Sequence, residues 1–428
     1  MSLNQPRSPE VFLNLNVRGM GQSPTLAINE RSRQLVAEGR KVYRLGLGQS
    51  PFPVPPHVRE SLARNAHQKD YLPVRGLPAL QQAVVDWVRR TEGLDYAASN
   101  VLIGPGTKEL MFLVQLVYYG DLVIPSPSWV SYAPQARIIG RHIHWLRTRP
   151  ETGLGVEPSV LEELCRQDPD RPRLLILNSP SNPTGLCYDD AQLQALAEVL
   201  RKYRVLALSD EIYSGTQYNG KHVSLARHYP EGTIISNGVS KWSGAGGWRL
   251  GFFVFPQGLS WLADAMAAVA SETFTSTSAP IQYAAVSAFE DRPEMTHYLD
   301  HSRQILATLA EYSYSTLTEA GADLHRAAGG FYLFPRFEKL REAMQQRGIG
   351  DGETFCTRLL DETGVAALPG HCFGRPASEL STRLAIVDFD GEKALEKAND
   401  EPVDLAFARR YCANVTDAID QLAAWVSS

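Results

Sequence analysis

The 428-residue sequence lacks a cysteine framework, a strong charge bias and a long apolar run. Its five cysteines are scattered and none forms a C-x-x-C pair, which disfavours a disulfide scaffold and a zinc site. The net charge of −5, without a basic cluster, gives no reason to expect a nucleic-acid partner. The longest apolar stretch, residues 110–124, is interrupted by Gln115, Gly120 and Asp121, so we expect no membrane-spanning helix.

The first residues, Met1–Pro6, also lack the charged-then-apolar pattern of a secretion signal. Together with the unpaired cysteines, this favours a cytoplasmic protein with reduced thiols. Hydrophobic residues make up 44% of the chain and charged residues 21%, which is typical of a folded globular protein. A chain of this length favours two lobes over a single core.

Short apolar runs alternate with amphipathic segments between about residues 100 and 255. Leucines at helical spacing in Ala191–Tyr203 show the amphipathic type. The alternation predicts an α/β fold with a mainly parallel sheet flanked by helices. The apolar runs are Val101–Ile103, Leu122–Ile124, Leu174–Leu177, Val205–Leu208 and Thr233–Ile235.

The pattern becomes more helical after about residue 260, with strand-like segments at Gly329–Pro335 and Ser381–Val387. These features suit a smaller α+β lobe that also contains the N-terminal segment. The charged segment 390–404 is predicted to be a surface insertion. The predicted lobes are a large one over residues 65–305 and a small one over residues 1–64 and 306–428.

A polar turn follows each predicted strand, and the carboxyl ends of parallel strands meet at one edge of a sheet. The turns begin at Gly104, Pro125, Asn178, Ser209 and Ser240. We therefore expect them to form one ligand site.

Lys241 and Arg249 share the glycine-rich stretch Ser240–Gly251. A lysine shielded from water loses its proton more readily and becomes a nucleophile toward carbonyls. Arg249 offers a planar fork of donors for a phosphate, and the glycines let the backbone approach a ligand closely. The pair is what a cofactor with an aldehyde and a phosphate would need.

In the order of its motifs the chain resembles the fold-type I pyridoxal phosphate (PLP) enzymes, and specifically the class I/II aminotransferases of the aspartate aminotransferase superfamily. The resemblance implies transfer of an amino group from an L-amino acid to a 2-oxo acid by a ping-pong mechanism. It extends from Gly48 to Arg383. The motifs are Asn182-Pro-Thr-Gly, Asp210-Glu-Ile-Tyr, Ser240-Lys and Gly247-Trp-Arg-Leu-Gly.

The resemblance implies a role for each residue around the reacting part of the cofactor. Lys241 matches the lysine that bonds to PLP and moves the proton. Asp210 matches the carboxylate that pairs with the pyridine nitrogen, and its neighbour Glu211 is the competing residue. Asn182 and Tyr213 match the groups that hydrogen-bond to the phenolic oxygen.

The remaining contacts with the cofactor also follow from the resemblance. Trp129 matches the aromatic residue stacked on the ring, which favours the aminotransferase branch. Tyr71 matches a tyrosine that reaches into the neighbouring subunit's site, so we expect a homodimer. The residues that match the phosphate site, at a helix start and around the lysine motif, are Gly106, Thr107, Lys108, Ser240 and Arg249.

Substrate contacts are assigned in the same way. Arg383 matches the arginine that clamps the α-carboxylate, and Asn182 is assigned to the substrate as well as to the cofactor. The main-chain amide of Gly48 matches a second carboxylate contact, although Gln49 and Ser50 replace the acidic residue and proline that usually follow.

Two other readings share these motifs. A PLP-dependent C–S β-lyase, or a cyclase of the aminocyclopropane-carboxylate type, uses the same residues, but a lyase releases pyruvate without an added oxo acid. A PLP-binding regulator would need a DNA-binding module, which we do not expect in the short N-terminal segment.

The substrate side chain is less constrained by the sequence. Residues 271–278 contain no arginine, which disfavours a strict aspartate enzyme that switches an arginine. Lys108 could bind a distal carboxylate instead. Aromatic or broad neutral amino acids are the expected substrates.

Overall fold

The computed structural model describes residues 13–21 and 24–428. Outside the described residues lie residues 1–12, 22 and 23, which belong to the predicted small lobe. The prediction made from Met1–Pro6 concerns part of this stretch. The strands are β1 (Tyr43–Arg44), β2 (Val101–Gly104), β3 (Asp121–Ser126), β4 (Ile143–Arg147), β5 (Arg173–Asn178), β6 (Leu206–Asp210), β7 (Thr233–Gly238), β8 (Gly251–Val254), β9 (Tyr332–Leu333), β10 (Val365–Ala366), β11 (Leu368–Pro369) and β12 (Thr382–Ala385).

Helices account for most of the remaining regular structure. They are α1 (Pro24–Ala37), α2 (Pro56–Asn65), α3 (Pro78–Glu92), α4 (Thr107–Val117), α5 (Tyr132–Ile138), α6 (Pro158–Gln167), α7 (Asp190–Lys202), α8 (Ser260–Thr273), α9 (Ala279–Val286), α10 (Pro293–Glu319), α11 (Arg341–Gln346), α12 (Gly352–Thr363), α13 (Gly391–Ala398), α14 (Leu405–Tyr411) and α15 (Ala413–Ser427). Among these, none is both long and apolar enough to cross a bilayer.

The central sheet has seven strands in the order β2-β8-β7-β6-β5-β3-β4. Strand β8 runs antiparallel to β2 and β7, and all other neighbours are parallel. The five predicted apolar runs form β2, β3, β5, β6 and β7, which confirms the α/β fold class. Strands β8 and β4 were not predicted. The residues of β4 are partly polar and mostly half-buried, so they form little apolar pattern.

Helices cover both faces of this sheet because successive strand residues point to opposite sides. In β5, Leu174 and Ile176 pack with residues of α4, α5 and α8. The alternate residues Leu175 and Leu177 pack with residues of α6 and α7. The turns at the strand ends are thereby held on a rigid, doubly covered sheet.

Smaller sheets lie outside the central one. Strands β11, β12 and β9 form an antiparallel sheet, and β1 pairs with β10 in parallel. The predicted lobe boundary at residue 305 falls inside α10, a continuous helix of 27 residues. The division into lobes therefore stays a prediction.

The segment 390–404, predicted to be a surface insertion, lies only partly on the surface, because one side of it is buried. The segment contains α13, and its Gly391, Ala394 and Ala398 are buried. The two alanines are four residues apart and so share one face of the helix, which packs into the core, while the charged residues occupy the outer face.

Candidate active site

A cavity of about 670 Å³ opens at the carboxyl edge of the central sheet. The turns after β2, β3, β5, β6 and β7 contribute to its wall, together with residues 47–49 and β12. Eleven of the predicted site residues line it: Gly48, Thr107, Lys108, Trp129, Asn182, Asp210, Tyr213, Ser240, Lys241, Arg249 and Arg383.

Lys241 follows β7 and extends into this cavity. Its Nζ donates a hydrogen bond to the carbonyl oxygen of Gly48 at 2.8 Å. Burial, followed by the positive charges of Arg383 and Arg249, lowers the pKa of Lys241 to about 8. The amine is therefore much closer to neutrality at physiological pH than an exposed lysine, as a nucleophile toward an aldehyde must be.

Asp210 ends β6 and is 3% exposed. Its carboxylate accepts hydrogen bonds from the Tyr132 hydroxyl at 2.5 Å and from the Ile212 amide at 3.4 Å. Burial raises the pKa of Asp210 to about 6. None of the ion pairs among the described residues involves Asp210, so its carboxylate suits a positively charged ligand atom such as a protonated ring nitrogen.

Glu211, the competing acidic residue, faces away from the cavity. Its carboxylate accepts a hydrogen bond from the Ser224 hydroxyl at 2.5 Å and lies 3.2 Å from His222 Nε2. Burial and the nearby Glu211 charge raise the pKa of Glu92, in the same cluster, to about 7. Of the two adjacent acids, only Asp210 can reach a ligand in the cavity.

Tyr213 places its hydroxyl on the cavity side of the loop after β6. The oxygen lies 2.9 Å from the hydroxyl oxygen of Tyr332, a buried residue of β9. Burial raises the pKa of Tyr213 well above its usual value, so the phenol stays protonated and can donate to a ligand oxygen.

Arg383, in β12, is 2% exposed and lines the same cavity as Lys108 and Trp129. Its Nη2 donates to the Gly46 carbonyl at 2.6 Å and its Nη1 donates to Asn182 Oδ1 at 3.3 Å. These bonds fix the guanidinium plane, and burial lowers its pKa. A fixed, desolvated guanidinium is suited to a carboxylate.

An anion site is formed where Arg249 meets the start of α4. A Cβ at Gly106 would lie 2.3 Å from Arg249 Nη2, so glycine leaves the space that the guanidinium fills. Arg249 Nη1 also donates to the Gly246 carbonyl at 3.0 Å. The first turn of α4, from Thr107, adds backbone N–H groups that have no helical acceptor.

Lys108 lies 5.0 Å above the ring of Trp129. Burial, followed by the charge of Arg249, lowers its pKa. Four basic side chains thus line the cavity against one carboxylate. The excess is three positive charges when Lys241 is protonated and two when it is neutral, and either value calls for an anionic ligand with several charges. The basic side chains are Lys108, Lys241, Arg249 and Arg383, and the carboxylate is Asp210.

Two predicted elements do not reach the cavity of their own chain. Tyr71 is 91% exposed and does not line it. Residues 271–278, where no arginine occurs, do not line it either. Gly106 lies just behind the wall, against Arg249.

Three residues that sequence reasoning missed belong to the site. Asn178 begins one of the predicted turns and lines the cavity, and its side chain donates to the Asp210 carbonyl at 2.8 Å. Tyr332 lies in a predicted strand and lines the cavity. Tyr132 stands three residues after Trp129, but nothing in the local sequence indicated that it would contact Asp210.

The groups present fit PLP at both ends. A buried, unpaired carboxylate, a lysine of lowered pKa and an arginine cradled by glycine match its ring nitrogen, aldehyde and phosphate respectively. Comparison with known proteins gives the same answer: the sequence profile of "Aminotransferase class I and II" matches residues 40–390.

Several named proteins are similar over most of the chain. The aspartate aminotransferase of Geobacillus stearothermophilus is 35% identical over 370 residues, covering 84% of this chain and 91% of that protein. The aspartate/prephenate aminotransferase of Thermus thermophilus is 31% identical over 366 residues, covering 84% of this chain and 91% of that protein. The structure of Thermus thermophilus aspartate aminotransferase with maleate superposes with a TM-score of 0.82 at 28% identity, covering 97% of this chain and 100% of that one.

These findings confirm the predicted family, fold class, cofactor and reaction, and they favour transamination over the C–S lyase alternative. The chain belongs to the class I and II aminotransferases, transferases that use PLP to move an amino group from an amino acid to a 2-oxo acid.

Proposed function

We propose that this aminotransferase takes a dicarboxylic amino acid of the aspartate type as its amino donor. The observation that carries the proposal is Lys108, a cation of the cavity wall that is left over once Arg249 and Arg383 are assigned to a phosphate and an α-carboxylate. This differs from the expectation of aromatic or neutral substrates. The names of the similar proteins, and the maleate in one of their structures, point the same way.

The proposed cofactor contacts follow the two ends of the cavity. Arg249, Thr107, Ser240 and the start of α4 hold the phosphate. Asp210 pairs with the ring nitrogen, and Trp129 faces the ring. When bound, PLP supplies an electron sink for the charge that forms when the substrate loses its α-proton.

Lys241 has two proposed tasks. It attaches the cofactor covalently, for which its lowered pKa supplies the neutral amine. Once a substrate amine has taken its place on the cofactor, Lys241 is free again. Its Nζ can then take the proton from the substrate's Cα and deliver it to the carbon on the cofactor side of the imine. Tyr213 and Asn182 donate hydrogen bonds to the phenolic oxygen of the cofactor. These bonds favour the ionised form of that oxygen.

Arg383 is proposed to bind the substrate's α-carboxylate through two parallel hydrogen bonds, with the Gly48 amide as an additional donor. The bonds from Arg383 to Gly46 and Asn182 orient it before the substrate arrives, which reduces the ordering cost of binding. Lys108 then meets the second carboxylate at the other end of the substrate.

We also propose a cytoplasmic homodimer in which Tyr71 completes the partner's site. The support is that Tyr71 is 91% exposed and does not line the cavity of its own chain. The cytoplasmic location is supported by five cysteines that are all free thiols. The proposed lobes, residues 65–305 against 1–64 and 306–428, would close over the substrate through Arg383.

The experiment that tests the donor class measures kcat/KM for aspartate and alanine on PLP-loaded protein, with and without 2-oxoglutarate. Lys108→Met is expected to lower kcat/KM for aspartate by roughly 10- to 100-fold, the loss of one charge-assisted contact, and to change the value for alanine less than about threefold. The matched control is Lys202→Met, an exposed lysine paired with Glu162 and outside the cavity.

An equal fall for both donors would place Lys108 on the phosphate and remove the support for a dicarboxylic substrate. Product that forms without the oxo acid, with release of pyruvate and ammonia, would point to lyase chemistry. A wild-type enzyme that prefers alanine or phenylalanine to aspartate would contradict the proposal outright.

A further inference from the structure

Tyr332 occupies a junction inside the cavity wall. It is 1% exposed, it lies in β9, and it lines the cavity without having been assigned a role above. Its hydroxyl lies 2.9 Å from the Tyr213 hydroxyl, and its ring lies 4.6 Å from the Arg383 guanidinium carbon. Tyr332 thus contacts both Tyr213, which is proposed to bind the cofactor, and Arg383, which is proposed to bind the substrate.

Counting protons gives the direction of the hydrogen bond between the two tyrosines. Each phenol has one O–H proton and can donate once. If Tyr213 donates to the phenolic oxygen of the cofactor, it has no proton left for Tyr332, so the hydrogen bond between the two requires Tyr332 to donate. The other acceptor near the Tyr332 hydroxyl, the Gly48 carbonyl, is more distant, at 3.5 Å against 2.9 Å. A donor that itself accepts a hydrogen bond is polarised and donates more strongly, by about 10–30% per bond.

The ring of Tyr332 performs a separate task. The guanidinium carbon of Arg383 lies 4.6 Å from the centroid of this ring and 5.1 Å from that of Phe373. Such contacts attract a desolvated cation and restrict its plane. Of the two parts of Tyr332, the ring and not the hydroxyl therefore adds to the hydrogen bonds with Gly46 and Asn182 in orienting Arg383.

Gly48 holds Tyr332 in this position by having no side chain. A Cβ on Gly48 would lie 1.9 Å from the Tyr332 hydroxyl oxygen, so that oxygen fills the space a side chain would take. The same glycine accepts the hydrogen bond from Lys241. The hydroxyl has little room to move away from Tyr213, which keeps the junction rigid.

We propose that Tyr332 is a positioning residue that couples the two halves of the site: its hydroxyl strengthens the hydrogen bond from Tyr213 to the cofactor, and its ring orients Arg383 for the substrate carboxylate. The inference rests on the proposed roles of Tyr213 and Arg383. It goes beyond them by giving the hydroxyl and the ring of one residue different and separable effects.

The test uses PLP-loaded Tyr332→Phe, which keeps the ring, and Tyr332→Leu, which removes it. The first readout needs no turnover: it is the pH midpoint of the absorbance change of the resting, lysine-linked cofactor. A donor at the phenolic oxygen draws negative charge away from the adjacent imine nitrogen and lowers that midpoint. Tyr332→Phe is therefore expected to raise the midpoint by about 0.3, and Tyr213→Phe by about 1.

The second readout is KM for the amino donor. We expect Tyr332→Phe to stay within about twofold of wild type and Tyr332→Leu to raise KM by roughly fivefold, because only the latter loses the cation–π contact. The matched control is Tyr218→Phe. Tyr218 is a half-buried tyrosine whose hydroxyl donates to the carbonyl of Gly330, two residues before Tyr332, but it does not line the cavity.

The outcomes separate the inference from the function on which it rests. If Tyr213→Phe leaves the midpoint unchanged, the proposed role of Tyr213 fails, and the inference fails with it. If Tyr213→Phe shifts the midpoint and Tyr332→Phe does not, only the inference is overturned. The same holds if Tyr218→Phe matches Tyr332→Phe, or if Tyr332→Leu has the wild-type KM.

Discussion

Replacing Gly106 with alanine tests whether the start of α4 and Arg249 hold the phosphate. The new Cβ would lie 2.3 Å from Arg249 Nη2 and 2.9 Å from its Cζ. Because those atoms form the far end of a flexible side chain, the guanidinium can swing aside, and the collision costs the fold little. The cost falls on the ligand, since the displaced guanidinium no longer meets the phosphate.

The expected magnitude has two parts. Gly106 has a φ of +91° and a ψ of 152°, a region open essentially only to glycine, so any L-residue there also strains the backbone, by about 1–3 kcal/mol. Loss of the charge-assisted contacts of Arg249 costs about 1.5–3 kcal/mol, which raises the Kd for PLP by roughly 10- to 100-fold. Gly93→Ala supplies the matched control: its φ is +69°, but its Cβ would meet no atom within 4 Å.

The assay is a titration of the cofactor-free protein with PLP, followed by absorbance, together with thermal melts of both variants. We expect both substitutions to lower Tm, Gly106→Ala at least as much as Gly93→Ala, and only Gly106→Ala to weaken PLP binding. If Gly106→Ala binds PLP as tightly as Gly93→Ala does, Arg249 does not depend on the space that this glycine leaves, and the phosphate site has been placed wrongly.

Three further predictions concern the reacting end of the cavity. Because the Tyr132 hydrogen bond lowers the pKa of Asp210, Tyr132→Phe should raise that pKa above about 6 and weaken PLP binding more at pH 6.5 than at pH 8.5; a pH-independent Kd ratio would contradict this. Arg383→Lys replaces a fixed fork by a single ammonium and should raise KM for the amino donor by roughly 10-fold or more with PLP affinity unchanged; an unaltered KM would refute the assignment. Lys241 has a pKa of about 8 without cofactor, so the initial rate of covalent PLP attachment should rise about tenfold per pH unit below that value and level off above it; a rate that keeps rising to pH 10 would show an ordinary lysine.

Much of the fold could be predicted because its pattern is local. The strands β2, β3, β5, β6 and β7 are continuous apolar runs bounded by polar turns, as expected for strands buried on both faces. Strand β4 was missed because its residues, Ile-His-Trp-Leu-Arg, are mostly half-buried and form no continuous apolar run. The inner face of α13 was missed because its small alanines are outnumbered by charged residues in a short segment.

The sequence by itself determined the family, the cofactor and most of the cavity wall, because glycine-rich turns and the lysine motif carry their chemistry within a few residues. Only the tertiary structure decided that Asp210 faces the cavity and Glu211 does not. Only the tertiary structure joined Tyr132 to Asp210, 78 residues away, and Tyr332 to Tyr213, 119 residues away. Such contacts depend on how sheets and helices pack, and no spacing within one segment specifies them.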